Sequence, residues 1–183
     1  MTYEMVFSGF GGQGVLSMGQ VLAYAALVEG KVVTWMPSYG PEMRGGTANC
    51  IVIVSDKKIS SPIISTFDIV VALNQPSVDK FEAHVKPGGT IIYESTNIIK
   101  PPTRSDINII PIPASDEANK LQNMKIMNMV MLGGLLGVKN IVSFKAVLEV
   151  LEKVLPDRYH HLIPLNESAL NSGKSLVDNL SIN

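Results

Sequence analysis

Cysteine occurs once in these 183 residues, at Cys50. A single thiol excludes an intrachain disulfide, and it excludes an iron–sulfur cluster built from this chain alone, because such clusters usually take four thiolates. If electrons move in a system that includes this chain, another chain carries them. Cys50 lies in an apolar run, where a free cysteine acts as a small core residue. Charge is also scarce: 17% of residues are charged, 15 basic against 16 acidic, with a formal net charge of −1. The two signs are mixed along the chain, so it has no electrostatic footprint for nucleic acid or an anionic membrane. So little charge beside 46% hydrophobic residues predicts an exterior partly covered by a partner. The longest mostly apolar stretch, Ile126 to Val138, contains Asn128 and falls short of a bilayer span. A basic-then-apolar signal pattern is missing at the N-terminus, which predicts a cytoplasmic protein. No internal repeat or low-complexity tract appears.

The length suits one α/β domain, residues 1–183, and leaves no room for two ordinary domains with a linker. Its organising stretch is Ser8-Gly9-Phe10-Gly11-Gly12-Gln13-Gly14-Val15-Leu16, between the apolar run Met5-Val6-Phe7 and an Ala- and Leu-rich segment of helical periodicity. Gly9, Gly11 and Gly14 satisfy the G-x-G-x-x-G spacing, and Gly12 removes still more bulk. Such a loop allows a tight turn, the approach of a phosphate to bare backbone, and donation of helix N-terminal N–H groups to an anion. The same glycines would also serve a tight connection with no ligand.

A dinucleotide site wants Asp or Glu at the end of the second strand, to hold the ribose hydroxyls. That strand is expected over Lys31–Met36, and its end carries Trp35, Met36 and Pro37 instead, which counts against NAD. A second glycine-containing loop follows, Pro37 to Asn49, including Ser38, Tyr39, Gly40, Arg44, Gly45 and Gly46. Two prolines and three glycines in this stretch prevent a helix or central strand. Arg44 suits bidentate contact with a phosphate or carboxylate, or pairs with Glu42 and stiffens the loop.

Further buried strands are expected at Cys50–Val54, Asp68–Leu73 and Thr90–Tyr93, with Pro87-Gly88-Gly89 as a turn and Ile107–Pro113 as an edge strand. Asn74 and Gln75, at the end of one strand, could face a ligand or simply form the turn before a helix from Ser77 to Val85. Ser115 is expected to cap one long helix through Leu136, apolar nearly all round, whose methionines suit an adaptable contact surface. Within it Asn128 needs a polar partner, either internal or on a ligand. Ser143 caps a helix to Leu155, Arg158 to His161 read as a solvated loop with no metal-ligand spacing, and Glu167 to Leu180 is a last helix. The alternation predicts a single three-layer, Rossmann-like α/β domain, with a mainly parallel sheet, helices on both faces and both glycine loops at the C-terminal sheet edge.

With both loops read, the chain resembles the gamma subunit, or equivalent fused domain, of the 2-oxoacid:ferredoxin oxidoreductases. Gly9-Phe10-Gly11-Gly12-Gln13-Gly14-Val15 matches the family's first motif and Ser38 through Ala48 its second, with weaker agreement around Asn74, Lys86–Gly89, Asn128–Gly133 and Asn166–Leu170. It looks most like the 2-oxoglutarate and branched-chain oxoacid forms, with pyruvate the third type in the family. The resemblance implies conversion of a 2-oxoacid, CoA and oxidised ferredoxin to acyl-CoA, CO₂ and reduced ferredoxin, with thiamine diphosphate, magnesium and iron–sulfur clusters on partner subunits. The absence of a Gly-Asp-Gly start for a thiamine diphosphate motif agrees with that division. The implied partners are alpha, beta and ferredoxin-like delta subunits, with ferredoxin reached through the complex and a homodimer open to the isolated chain. To this subunit fall assembly and a share of the CoA site, carried over to Gly9, Phe10, Gly11, Gly12, Gln13, Gly14, Ser38, Tyr39, Gly40, Arg44, Gly45 and Asn74, with no catalytic residue. A free-standing nucleotide- or NAD-binding regulatory domain and a purely architectural subunit are the competing expectations.

Overall fold

Met5, Phe7 and Val71 point to one side of a sheet while Val6, Val70 and Ile91 point to the other, and all six are inaccessible to solvent. Only a strand set covered on both faces demands that pattern. A computed structural model describes residues 1–38 and 47–180. Six strands, β1 (Thr2–Phe10), β2 (Val32–Ser38), β3 (Thr47–Ser55), β4 (Phe67–Ala72), β5 (Val85–Glu94) and β6 (Asn108–Ile112), form one sheet in the order β2-β3-β1-β4-β5-β6. β1 pairs in parallel with β4, β4 with β5 and β5 with β6, while β3 runs antiparallel to both β1 and β2. The sheet is therefore mixed, with β3 the one reversed strand among the described residues.

The larger layer carries α1 (Val15–Val28), α3 (Ala114–Lys120), α4 (Met127–Val138), α5 (Phe144–Val154) and α6 (Ile163–Leu180). The other face is covered by the short α2 (Gln75–Phe81), whose Val78 and Phe81 pack on Val70 and Ile91. Helices thus lie on both faces, in very unequal amounts. Pro111 sits in β6, the edge strand, where its missing N–H costs no ladder bond.

Several boundaries differ from the expectation, each for a local reason. β2 continues through Pro37 to Ser38, paired with Cys50 and Asn49, because an edge strand tolerates proline. Thr47, Ala48 and Asn49, expected in the second loop, belong to β3. Pro87-Gly88-Gly89 is an irregularity within β5, where the register shifts between Phe67 and Ile69 and Gly88 takes φ 75°. α2 begins at Gln75 and ends at Phe81, with a 3-10 turn over Glu82–His84 before the strand. The segment from Asp157 to Leu162 is likewise a 3-10 helix rather than a loop, and α6 begins at Ile163.

The expected long helix from Ser115 is broken. α3 ends at Lys120, Gln122 takes φ 56°, and a 3-10 turn over Met124–Ile126 leads into α4. Ser115 is not the cap; it lies one residue inside α3, and its N–H donates to the buried carboxylate of Glu94. Glu94, at the end of β5, also accepts from Thr96 N and Asn97 N, so one carboxylate ties three backbone donors to the sheet edge.

Every residue of α4 from Met127 to Leu136 is buried. Its methionines face this chain's own interior and provide no partner surface, which removes that ground for expecting the isolated chain to self-associate. The burial depends on α6 crossing at backbone distance: a Cβ on Gly173 would penetrate the Val130 carbonyl, and one on Gly133 the Leu170 carbonyl. Gly137, a turn further along α4, has room, its Cβ falling 3.4 Å from Lys174 Cα. Gly173→Ala should therefore cost about 2–3 kcal/mol through overpacking, whereas Gly137→Ala should be neutral or stabilise by up to about 1 kcal/mol, the helix-propensity difference. Urea unfolding of both variants checks the pair.

Candidate functional site

In an open sheet, ligands collect at the carboxyl ends of strands where the chain order reverses. Here that crevice lies between β1, whose helix leads towards β2, and β4, which starts the other half. The first glycine loop sits at its mouth, directly after Phe10. The ends of the second loop reach the same edge, because Thr47 pairs with Phe10 and Ser38 with Asn49. Tyr39, Gly40, Arg44 and Gly45 lie outside the described residues, as does the Arg44–Glu42 pair.

Gly12 and Gly14 take φ 95° and 74°, values that L side chains rarely adopt. Gly12 and Gly11 are exposed, and no atom lies within 4 Å of where a Gly12 Cβ would stand. Gly14 is the N-cap of α1 and touches Asn128, whose Nδ2 donates to the Gly14 carbonyl at 3.2 Å. A Cβ on Gly14 would lie 2.5 Å from that nitrogen. Asn128 therefore bonds internally, and the bond seats α4 against the loop. Gln13 also works inward. Its Oε1 accepts from Phe10 N at 2.6 Å and its Nε2 donates to the Leu73 carbonyl at 3.2 Å, bracing the loop across β1 and β4. A Cβ on Gly9 would meet Gln13 Oε1 at 2.7 Å, so bare backbone at Gly9 is what lets this brace close.

The loop delivers the N-terminus of α1 to the crevice. Helix geometry leaves the N–H groups of Val15, Leu16 and Ser17 without intrahelical partners, and no side chain caps them among the described residues. The first turn carries no acid, so the helix itself supplies no carboxylate to offset the positive end of its dipole. Across the crevice, Asn74 caps α2: its Oδ1 accepts from Ser77 N at 2.9 Å and Ser77 Oγ at 2.6 Å, and the Ser77 hydroxyl lies 2.8 Å from that of Ser8. Asn74 thus forms the turn into α2. Its Nδ2, though, is buried with no hydrogen-bond partner among the described residues, a donor left over at this edge. Gln75 spends its amide on Asp79 and on the Lys100 backbone. Phe10 is half exposed beside the loop, and Ser38 is exposed at the end of β2.

Cys50 lies behind this edge, fully buried, its thiol 3.7 Å from the Val15 carbonyl. Burial pushes the thiol up to about 12, with the Trp35 indole working weakly in the other direction. That fits a core residue and no nucleophile.

A model of the family described as pyruvate ferredoxin/flavodoxin oxidoreductase matches residues 4–176. The chain belongs to that family. Among this family's named proteins, it is 32% identical over 184 residues to 2-oxoglutarate synthase subunit KorC of Methanothermobacter marburgensis, covering 97% of each chain. It is 47% identical over 126 residues to ketoisovalerate oxidoreductase subunit VorA of Methanothermobacter thermautotrophicus, covering 69% of this chain but only 26% of VorA. Its fold matches a crystal structure described as a keto/oxoacid ferredoxin oxidoreductase gamma subunit from Geobacter sulfurreducens, with TM-score 0.82, 29% identity and coverage of 97% and 99%. It also matches a 2-oxoglutarate:ferredoxin oxidoreductase from Magnetococcus marinus, with TM-score 0.89 and 27% identity, covering 97% of this chain and 31% of that one.

The Gly14–Asn128 contact should appear as coupling. Gly14→Ala should cost about 2–3 kcal/mol, from left-handed backbone plus the clash, and Asn128→Ala about 1–2 kcal/mol for the lost bond. The double variant should cost at least about 1 kcal/mol less than the sum, because removing the amide removes much of the clash. For Cys50, the unfolded thiol ionises near its ordinary value and the folded one near 12, so folding stability falls as pH rises above about 9. The slope should approach about 1.4 kcal/mol per pH unit between pH 9 and 10, and Cys50→Ala should remove it in urea titrations.

Proposed function

We propose that this chain is the non-redox, gamma-type subunit of a 2-oxoacid:ferredoxin oxidoreductase complex, of the 2-oxoglutarate or branched-chain oxoacid type, contributing to assembly and to the CoA site. The observation that carries the reading is the crevice at β1 and β4, where the exposed Gly11–Gly12 backbone leads directly into the uncapped start of α1. Such an edge complements a pyrophosphate: backbone N–H groups bond the oxygens and the helix dipole favours their charge. The Magnetococcus marinus structure is described as having 2-oxoglutarate, coenzyme A and succinyl-CoA bound, which supports CoA as the ligand.

In this reading Gly9 and Gln13 shape the loop, Gly11, Gly12 and Gly14 admit the phosphates, and Arg44 supplies the neighbouring cation. Asn74 turns its spare donor to an acceptor on the ligand, with Phe10, Ser38, Tyr39, Gly40 and Gly45 forming the surrounding wall. Thiamine diphosphate, magnesium and iron–sulfur clusters reside on the alpha, beta and delta-type partners, which decarboxylate the oxoacid and pass electrons to ferredoxin. This chain alone turns over no oxoacid. A regulatory NAD domain is disfavoured because β2 ends in Trp35, Met36, Pro37 and Ser38, with no carboxylate for the ribose.

Comparing Gly12→Asp with Gly12→Asn tests the site, since the two residues share shape and tolerance of positive φ but differ in charge. In assembled complex, the Asp variant should raise KM for CoA at least about tenfold over the Asn variant, about 1.4 kcal/mol. CoA-independent decarboxylation should be equal in both. Equal KM values in normally assembled complexes would make the loops architectural.

A further inference from the structure

The opposite edge of the sheet has a feature that the CoA reading leaves unused. The starts of β1 and β2 and the end of β3 bring Thr2, Ser55 and Val32 into one row, with Ser55 paired to both neighbours. Beside this row lies a trough of about 370 Å³, floored by Ile53, Ile59 and Ile64 and edged by Lys57 and Lys58. The carboxylates around it are already committed. Glu4 and Asp68 share Lys86, at 2.5 and 2.8 Å, and Asp56 pairs with the terminal amine. The ammonium groups of Lys57 and Lys58 make no ion pair or hydrogen bond among the described residues, and both residues are exposed. Next to the lining residue Ile64 in sequence, Ile63 is 77% exposed, and Val32, paired with Ser55, is 42% exposed.

We propose that this trough and its rim dock an acidic, partly apolar segment of a partner polypeptide. Two uncompensated cations ask for carboxylates, while the isoleucine floor and the exposed Ile63 ask for apolar cover wider than a small anion provides. Other members of the family provide the setting: 69% of this chain aligns with 26% of VorA, and its fold covers 31% of the Magnetococcus chain, where it is joined to further polypeptide. The proposal rests on the subunit reading above, but not on CoA binding.

The test uses the complex purified from its source. Lys57 and Lys58 should be acetylated at least tenfold more slowly in the complex than in the isolated chain, and a zero-length carbodiimide cross-linker should join one of them to an Asp or Glu of a partner. K57E/K58E should weaken assembly at least tenfold and remove its salt dependence, and Ile63→Asp should weaken it without changing that dependence. Both variants should keep the wild-type circular dichroism and melting temperature, because the altered side chains are exposed. Equal acetylation in complex and isolated chain, or unchanged assembly of K57E/K58E, overturns the proposal. Protection of the isolated chain by inorganic phosphate, with no cross-link to a partner, overturns it in favour of a small anion. Recovery of no complex at all overturns the subunit reading and this proposal with it, whereas equal KM values for the two Gly12 variants leave it standing.

Discussion

The seat of α4 is the constraint from which the rest follows. Its flanks are taken by the sheet and by α6, and its N-terminal turn touches the glycine loop through Asn128. Gly133, Gly173 and Gly14, at these contacts, have no room for a side chain: at the α4–α6 crossing a Cβ would meet the facing backbone, and at Gly14 it would meet the Asn128 amide. The loop's shape is consequently inherited from the core: a shift of α6 would move α4, and α4 would carry the Gly14 carbonyl with it. A site of bare backbone has few side chains of its own to hold geometry, so it borrows rigidity from the layer behind.

Much of this is legible in the sequence. Continuous apolar runs mark the buried strands, prolines in the last run mark an edge, and the glycine spacing between a strand and a helix locates the crevice. The reversal of β3 is harder to see, although the means are present. A connection from Ser38 to Thr47 is too short for a parallel crossover, which needs a dozen or more residues. Proline and alanine end the strand patterns early, so the sequence shows a loop from Pro37 to Asn49, and at that length the direction stays open.

The break between α3 and α4 is hidden for another reason. Helical periodicity runs on through Leu121 and Met124, and the turn depends on Gln122 in a conformation that no glycine announces. Tertiary bonds override local preference there: Asn123 N reaches the Ala118 carbonyl, and its side chain caps the following turn. Within the site, Gln13 reads as a ligand contact because it lies inside a phosphate-type motif. Its amide is consumed by Phe10, three residues back in the same turn, and by Leu73, which only the pairing of β1 with β4 brings near. Glu94, silent in the sequence as an ordinary acid at a strand end, organises the neighbouring edge by accepting three backbone donors.

The reversed strand has a further consequence for how such a chain can diverge. Because β2 and β3 form one ladder closed at Ser38 and Asn49, the eight residues 39–46 are spliced between two points already fixed to each other. The entropy of closing such a loop grows only with the logarithm of its length, about 0.6 kcal/mol per doubling. Insertions, deletions and exchanges there scarcely touch the stability of the domain. The first glycine loop has no such latitude, because Gly14 is tied through Asn128 to the core. Tolerance of changed length and intolerance of a single added methyl thus meet at one sheet edge.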